Sequence, residues 1–390
     1  GIGRTQTHSK EEEMAITRLY HTCKDKIQQV LPQERITRVR MMSWFVAGLF
    51  MSSSIHLSHI AREIPGESKN VSKFKALSRF LNNRHVRVRD WYEPIAKPLL
   101  QEVVDHDLPV RLLVDGTKVG SGHQLLMVSL AYRRRSIPIA WTWVKGNRGH
   151  SSAHKQCALL TYVHQLMPEH AVVLVAGDSE FGAIDVLNLL DFWEWGYALR
   201  QKGSHLIQLP DSDIYQRCDS LVSHSGQSQW LEDVKLTEKH AYPCNFLAYW
   251  QSGEKEPWLL ATKLPNARAT KKLYRARMWV EEMFGDFKKH GFDLESTRLQ
   301  HFMRLSRLTL AVALLYYWLV VFASQTIKNG RRHLVDRRDR RDLSIFRIGY
   351  DMLERCLVNN SPFSIRHLPY LSKLSGSQIN SKKGSISSII

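Results

Sequence analysis

The sequence predicts an α/β protein: a mixed β-sheet in the middle of the chain, a β-rich insertion within it, and a helical region ahead of it. Three changes of texture carry that expectation. Residues 11 to 100 are helical and basic. From about 110 the chain turns to β-branched and aromatic runs divided by Gly, Ser and Arg. Between 204 and 262 it breaks into short strands and polar turns before helical text resumes at about 267.

In the first region MMSWFVAGLFMSSSIHLSHIA is one apolar segment and VSKFKALSRFLNN another. The spacing of the second puts Phe74, Leu77 and Leu81 on one side and Lys73 and Arg79 elsewhere. That suits either a helix entering a DNA groove or an ordinary amphipathic helix. RLLVDGTKVG, HQLLMVSLAYRRR and SIPIAWTWVKG follow. Such runs, bounded by turn residues, read as a three-stranded meander. SSAHKQCALLTYVHQLM is a helix that ends at Pro168, because proline lacks the N–H a helix interior needs. AVVLVAGDSEFG is a continuous apolar run ending in Gly-Asp, the pattern of a central strand covered on both faces. AIDVLNLLDFWEWG is then a helix and YALRQKG a further strand. The order βββαβαβ fits the ribonuclease H type of fold.

Charge narrows the partners. Lys and Arg number 55 against 37 Asp and Glu, a balance of +18. A polyanion is the first expectation. The basic residues recur along the chain, as Arg84, Arg87 and Arg89, then Arg133 to Arg135, then Arg331 to Arg341. This favours a long duplex contact over a single basic arm. The five cysteines, Cys23, Cys157, Cys218, Cys244 and Cys356, are far apart with no Cys-x-x-Cys pair, so neither a disulfide framework nor a zinc site is indicated. The opening GIGRTQTHSK has no signal-type apolar core and reads as a truncated start of a protein of the reducing cytoplasm. The apolar run Leu308 to Ala323 is 16 residues long and follows Arg304 and Arg307. It is short for a span and reads as a buried core helix, so no membrane is expected. No phosphate-binding glycine loop is present, and no ATP requirement is expected. His123, His150 and His154 lack a His-x-x-x-His spacing with an acid and are not expected to bind metal; Ser-rich 371–390 is expected to be a mobile tail.

The segment YRARMWVEEMFGDFKKHG, residues 274–291, has the periodicity of a helix. At about 100° per residue Tyr274, Arg277, Glu281 and Lys288 share one narrow stripe, and Trp279, Val280, Met283 and Phe287 face the other way, toward a core. Taken alone, the stripe reads as a solvated face with an Arg277–Glu281 pair. Two further acids are expected at the ends of apolar strands: Asp115 after RLLV and Asp178 after AVVLVAG. Each by itself, beside a glycine, is an ordinary turn former. Together with Glu281 they supply three carboxylates on two strands and a helix, the oxygen ligands Mg²⁺ accepts. Two such ions can activate water and stabilise a leaving oxygen in phosphodiester cleavage.

Tyr274-x2-Arg277-x3-Glu281-x6-Lys288, with two aspartates upstream, resembles the Y-R-E-K signature of the IS-four family of bacterial insertion-sequence transposases. This is the DDE group that includes the transposon-five enzyme, and the likeness covers roughly residues 40–350. The resemblance implies a catalytic and metal-binding triad of Asp115, Asp178 and Glu281, two Mg²⁺ ions with Mn²⁺ able to substitute, and phosphate contacts from Tyr274, Arg277 and Lys288. It implies that Trp258, opening WLLATKLP, stacks on a flipped base and that Arg200, in ALRQKG, lies beside the active site. Many members have Asp-Arg where this chain has Asp178-Ser179. The implied activity is cleavage of transposon ends and their joining to target DNA, by a homodimer on double-stranded DNA, in a nucleoid-associated bacterial protein. The alternatives are a metal-dependent nuclease of the same fold and a catalytically inactive DNA-binding protein derived from a transposase. The expected regions are 1–105, a helical N-terminal DNA-binding region; 106–203, the first part of the catalytic core; 204–266, the β-insertion; 267–325, the rest of the core with the Glu281 helix; and 326–390, a C-terminal helical region and tail. In the last of these, LSIFRIGYDMLERCLV offers apolar surface for either core or dimer contact.

Overall fold

The computed structural model describes residues 2–120, 122–146 and 151–371. His150 and all of the Ser-rich tail except Leu371 lie outside the described residues. Five helices come first: α1 (Ile2–Val30), α2 (Ile36–Ser52), α3 (Leu57–Glu63), α4 (Asn70–Leu81) and α5 (Val88–Asp105). The sheet begins with β1 (Val110–Val119), β2 (His123–Tyr132) and β3 (Arg135–Lys145), the expected meander. Then come α6 (Ala153–Leu166), β4 (Val173–Gly177), α7 (Ile184–Phe192) and β5 (Gly196–Arg200). Strands β6 (Leu206–Gln208), β7 (Tyr215–Arg217), β8 (Ser228–Leu236), β9 (Tyr242–Tyr249) and β10 (Trp258–Thr262) follow. The chain closes with α8 (Ala267–Arg275), α9 (Met278–Phe287), α10 (Phe302–Lys328) and α11 (Ile345–Val358).

All ten strands form one open mixed sheet in the order β3-β2-β1-β4-β5-β10-β9-β8-β6-β7. β1 is antiparallel to β2 and parallel to β4, and β4 is parallel to β5. The parallel pairs require crossovers, which α6 and α7 supply, as the sequence order anticipates. The strands expected as an insertion continue this sheet, because β10 pairs antiparallel with β5.

Helix α10 is the apolar centre. Every residue from Leu308 to Ala323 is at most 4% exposed, so a helix long and apolar enough to cross a membrane is here enclosed by protein. Its one buried cation, Arg307, donates to the carbonyls of Val86 and Leu81 at 2.9 Å each, which compensates a charge that would otherwise be costly to bury. Helix α11 packs against it so closely that a Cβ on Gly349 would lie 2.0 Å from the Leu319 carbonyl oxygen. Ile345, Phe346, Ile348, Met352 and Leu353 of α11 are buried, which resolves LSIFRIGYDMLERCLV as core. In α4, Leu77 and Leu81 are buried as expected, but Phe74 is 41% exposed. The helix is anchored at its later turns, through Ser78 to Arg304 and Leu81 to Arg307, and Phe74 precedes that anchor.

Candidate active site

Two strands bring the aspartates side by side. Parallel pairing of β1 with β4 ends at Val114 opposite Gly177, so Asp115 and Asp178 are the next residue on each strand. Asp178 follows the end of β4, as expected. Asp115 lies in the middle of the ten-residue β1, a departure from the strand-end position expected. β1 runs on beside β2, where Asp115 faces Met127, and outruns β4 on its other edge. The acid is therefore terminal only toward Asp178.

The predicted helix over 274–291 is two helices. α8 ends at Arg275 and α9 begins at Met278, joined by tight turns in which Ala276 N–H bonds to Leu273 O and Arg277 N–H to Tyr274 O. Lys288 leaves the helix at φ −96°, ψ −127°. The four-residue stripe is thus divided. Val280, Met283 and Phe287 face the core as expected, and Glu281 stands exposed in the first turn of α9. α9 is fastened to the meander by Arg135, whose Nε donates to Asp286 at 2.7 Å and whose other arm lies 3.3 Å from Glu282.

Arg277 links the elements: its Nη1 is 2.7 Å from Glu281 Oε1 and 3.7 Å from Asp115 Oδ2. Burial pushes the Asp115 carboxyl up to about 7; Arg277 and the Gly116 N–H, which bonds Asp115 Oδ1 at 2.7 Å, oppose that rise, and the charges of Glu281 and Asp178 add to it. Burial works against the Arg277 charge, but Tyr274, Glu281, Asp115 and Asp178 outweigh it and hold the guanidinium above its ordinary value. Asp178 Oδ1 is buried without a hydrogen bond among the described residues, and Arg200 Nη1 stands 3.9 Å away. Arg200, at the end of β5, is instead bound by Glu256 at 2.9 Å and by Pro257 O at 3.1 Å. With Asp178, Ser179, Gln201 and Lys202 it lines an open cleft.

Tyr274, expected on the accessible stripe, is 2% exposed. Its hydroxyl is enclosed without a hydrogen bond among the described residues, and burial raises it to about 12 although Arg277 and the neighbouring Arg200 pull the other way. Trp258, the first residue of β10, is half-buried and meets the Tyr274 ring edge-on at 5.0 Å. Lys288 pairs with Glu295 at 2.6 Å. Among the described residues no three His, Cys, Asp or Glu side chains converge closely enough to ligate one ion as they stand; Arg277 occupies the approach between Asp115 and Glu281.

Sequence reading missed Glu180. Its carboxylate accepts from Gln124 Nε2 at 3.0 Å, and from the Ser151 N–H and Oγ. The available signal was Gly116: a Cβ there would lie 2.5 Å from Gln124 Nε2 and 3.1 Å from Glu180 Oε2. A glycine inside a strand marks such a close approach.

The model of the transposase DDE domain matches residues 108–318, more than half of the chain, and the chain belongs to that family. No curated protein matches it. Among solved structures it is similar to the cryo-EM structure of the piggyBac transposase synaptic complex with hairpin DNA, at 9% identity and a TM-score of 0.40, over 90% of this chain and 80% of that one.

Proposed function

We propose that the protein is a transposase of the IS-four type, which binds the terminal repeats of an insertion sequence, hydrolyses phosphodiester bonds at its ends and joins them to target DNA at the bacterial nucleoid. The observation that carries this reading is the meeting, within the family-matched segment, of Asp115 and Asp178 on adjacent strands with Glu281 tied to Asp115 through Arg277. The strand order β3-β2-β1-β4-β5 supports a ribonuclease H-like core. Residues 1–105 and the exposed Lys75 and Arg79 of α4 serve DNA binding in this reading.

Asp115, Asp178 and Glu281 are the residues that would hold Mg²⁺ or Mn²⁺. Their donors are all carboxylate oxygens, the type these ions take. Asp115 is desolvated with the charges of Glu281 and Asp178 beside it, and Asp178 Oδ1 has no hydrogen bond among the described residues, so both gain from a cation. When bound, a pair of such ions supplies an activated water and a stabilised leaving oxygen. The remaining work falls to the chain. Arg277 exchanges its two carboxylates for a backbone phosphate, and Lys288 exchanges Glu295 for another, each through charge-assisted hydrogen bonds. Arg200 neutralises charge beside Asp178, and Trp258 stacks on a base drawn from the duplex end, with Tyr274 behind it. Two protomers bridge two ends. A second reading, a DNA-binding protein that has lost its chemistry, is favoured by one observation, the absence of a convergent three-ligand cluster among the described residues.

Incubating the protein with its element-end duplex and Mg²⁺, then sizing both strands, separates the readings. Nicking followed by joined product is expected. Cleavage without joining would mark a nuclease, and binding without any cleavage an inactive descendant.

A further inference from the structure

At the opposite end of the meander from the β1–β2 loop, β2 and β3 are joined by a two-residue turn, since Tyr132 pairs with Arg135. Both turn residues are left-handed, Arg133 at φ 49° and Arg134 at φ 62°. Such hairpins favour Asn-Gly or Gly-Gly, which take positive φ with little strain. Among the described residues no other two consecutive positions share this conformation. A strained backbone that keeps two arginines is a reason to ask what the arginines do.

Arg134 is exposed, and its side chain makes no hydrogen bond or ion pair among the described residues. Arg133 donates to Tyr370 O at 3.2 Å, beside the Tyr132 hydroxyl that bonds the same atom. Facing them is the loop after α10, which carries six arginines and three aspartates between 331 and 342. That loop is built on Arg332, which holds Asp336 at 2.8 Å and the carbonyls of Arg340 and Arg338. Asp342 is taken by Arg337 and Arg340, and Glu282 and Asp286 by Arg135. Among the described residues Arg341 donates only to the Leu343 carbonyl, at 3.1 Å. Burial, and next the charge of Arg133, depress its guanidinium; Arg134 and Arg135 add to this and Asp336 offsets part of it. Like charges are thus gathered while Asp336 and Asp342 are held by other arginines of the loop and Glu282 and Asp286 by Arg135, an arrangement that a bound polyanion stabilises.

We propose that the β2–β3 turn and the arginine loop after α10 form a second duplex contact, in which Arg134 and Arg341 hold backbone phosphates away from the carboxylates. It rests on the transposase reading for the identity of the anion. Asp115 pairs with Met127, five residues before Tyr132, so the turn stands about 17 Å along the strand at about 3.3 Å per residue. That is about five base-pair steps of duplex, at about 3.4 Å each. The phosphates belong either to the element end or to a target duplex.

The test measures affinity against salt for wild-type protein and for Arg134→Gly/Arg341→Ala, on duplexes of about 30 base pairs with and without the element end. Losing two phosphate contacts should flatten the plot of log K against log salt by about 1.8. A fall on the end duplex alone assigns the site to the element end; a fall on both assigns it to duplex in general, target included. Arg134→Gly should also raise the melting temperature, because glycine accepts the left-handed turn and the repulsion is relieved. An unchanged slope on both duplexes overturns the proposal, as does a flatter slope accompanied by a lower melting temperature. Wild-type cleavage of the end duplex is scored alongside. Cleavage with an unchanged slope defeats this proposal alone, whereas a flattened slope without cleavage keeps the contact and defeats the catalytic reading.

Discussion

Replacing Asp115 by Asn should make the metal-free protein more stable at alkaline pH while destroying its chemistry. Burial, with Glu281 and Asp178 adding to it, raises this carboxyl from 3.8 to about 7. A group whose folded value exceeds its unfolded value binds its proton more tightly in the native state, so native stability is intact below about pH 4 and falls as pH rises through about 7. Three units at about 1.4 kcal/mol each set the ceiling at about 4 kcal/mol. Asn keeps the oxygen that accepts from Gly116 N–H, and Arg277 keeps Glu281, so little else is lost. Urea midpoints in chelator, taken from about pH 5 to about pH 8.5, should show the variant and wild type diverging up to about pH 7 and holding a constant gap above it, with the variant ahead. Mg²⁺ should then stabilise wild type and leave the variant unmoved. A gap that does not grow with pH would refute the electrostatic account, and equal stabilisation of both proteins by Mg²⁺ would remove Asp115 from the metal set.

Glu281→Gln keeps the shape of the α9 face but not its charge; cleavage should fall at least about a hundredfold, some 2.7 kcal/mol of barrier, while gel-shift affinity for the end duplex stays near wild type. Full cleavage by this variant would end the assignment. Trp258→Ala should slow second-strand processing by about 1 to 3 kcal/mol of lost stacking, with first nicking near normal; if both steps decline together with thermal stability, Trp258 is a packing residue against Tyr274 and Tyr249. Arg307→Met removes the donors to Val86 O and Leu81 O and should cost about 3 kcal/mol by urea unfolding. A loss below about 1 kcal/mol would mean that water or a neighbouring donor satisfies those carbonyls.

The core strands were legible because they are apolar, β-branched or aromatic runs divided by Gly, Ser and Arg, and the structure returns the meander, both crossovers and β5 where the sequence placed them. The site was legible in its parts and less so in its assembly. YRARMWVEEMF contains neither Pro nor Gly, so nothing local announces the break after Arg275. It arises because the two halves are held by different parts of the sheet. Thr270 of α8 lies 3.4 Å from Thr262 of β10, whereas Asp286 of α9 is drawn to Arg135 of β3. For the same reason Tyr274 turns inward against Trp258. The middle-of-strand position of Asp115 depends on how far β1 outruns β4, a register that only pairing across the sheet determines. Glu180 owes its place to Gln124 and Ser151, remote in sequence.

The central claim is that Asp115, Asp178 and Glu281 act as one centre. Single-turnover cleavage of an end duplex, compared for Asp115→Asn, Asp178→Asn, Glu281→Gln and the triple variant, tests it most directly, because groups that act as a unit are grossly non-additive. Each single substitution should bring the rate down to the floor that the triple variant reaches, with DNA binding retained throughout. Losses that add from one substitution to the next, or any single variant that cleaves as fast as wild type, would contradict the claim.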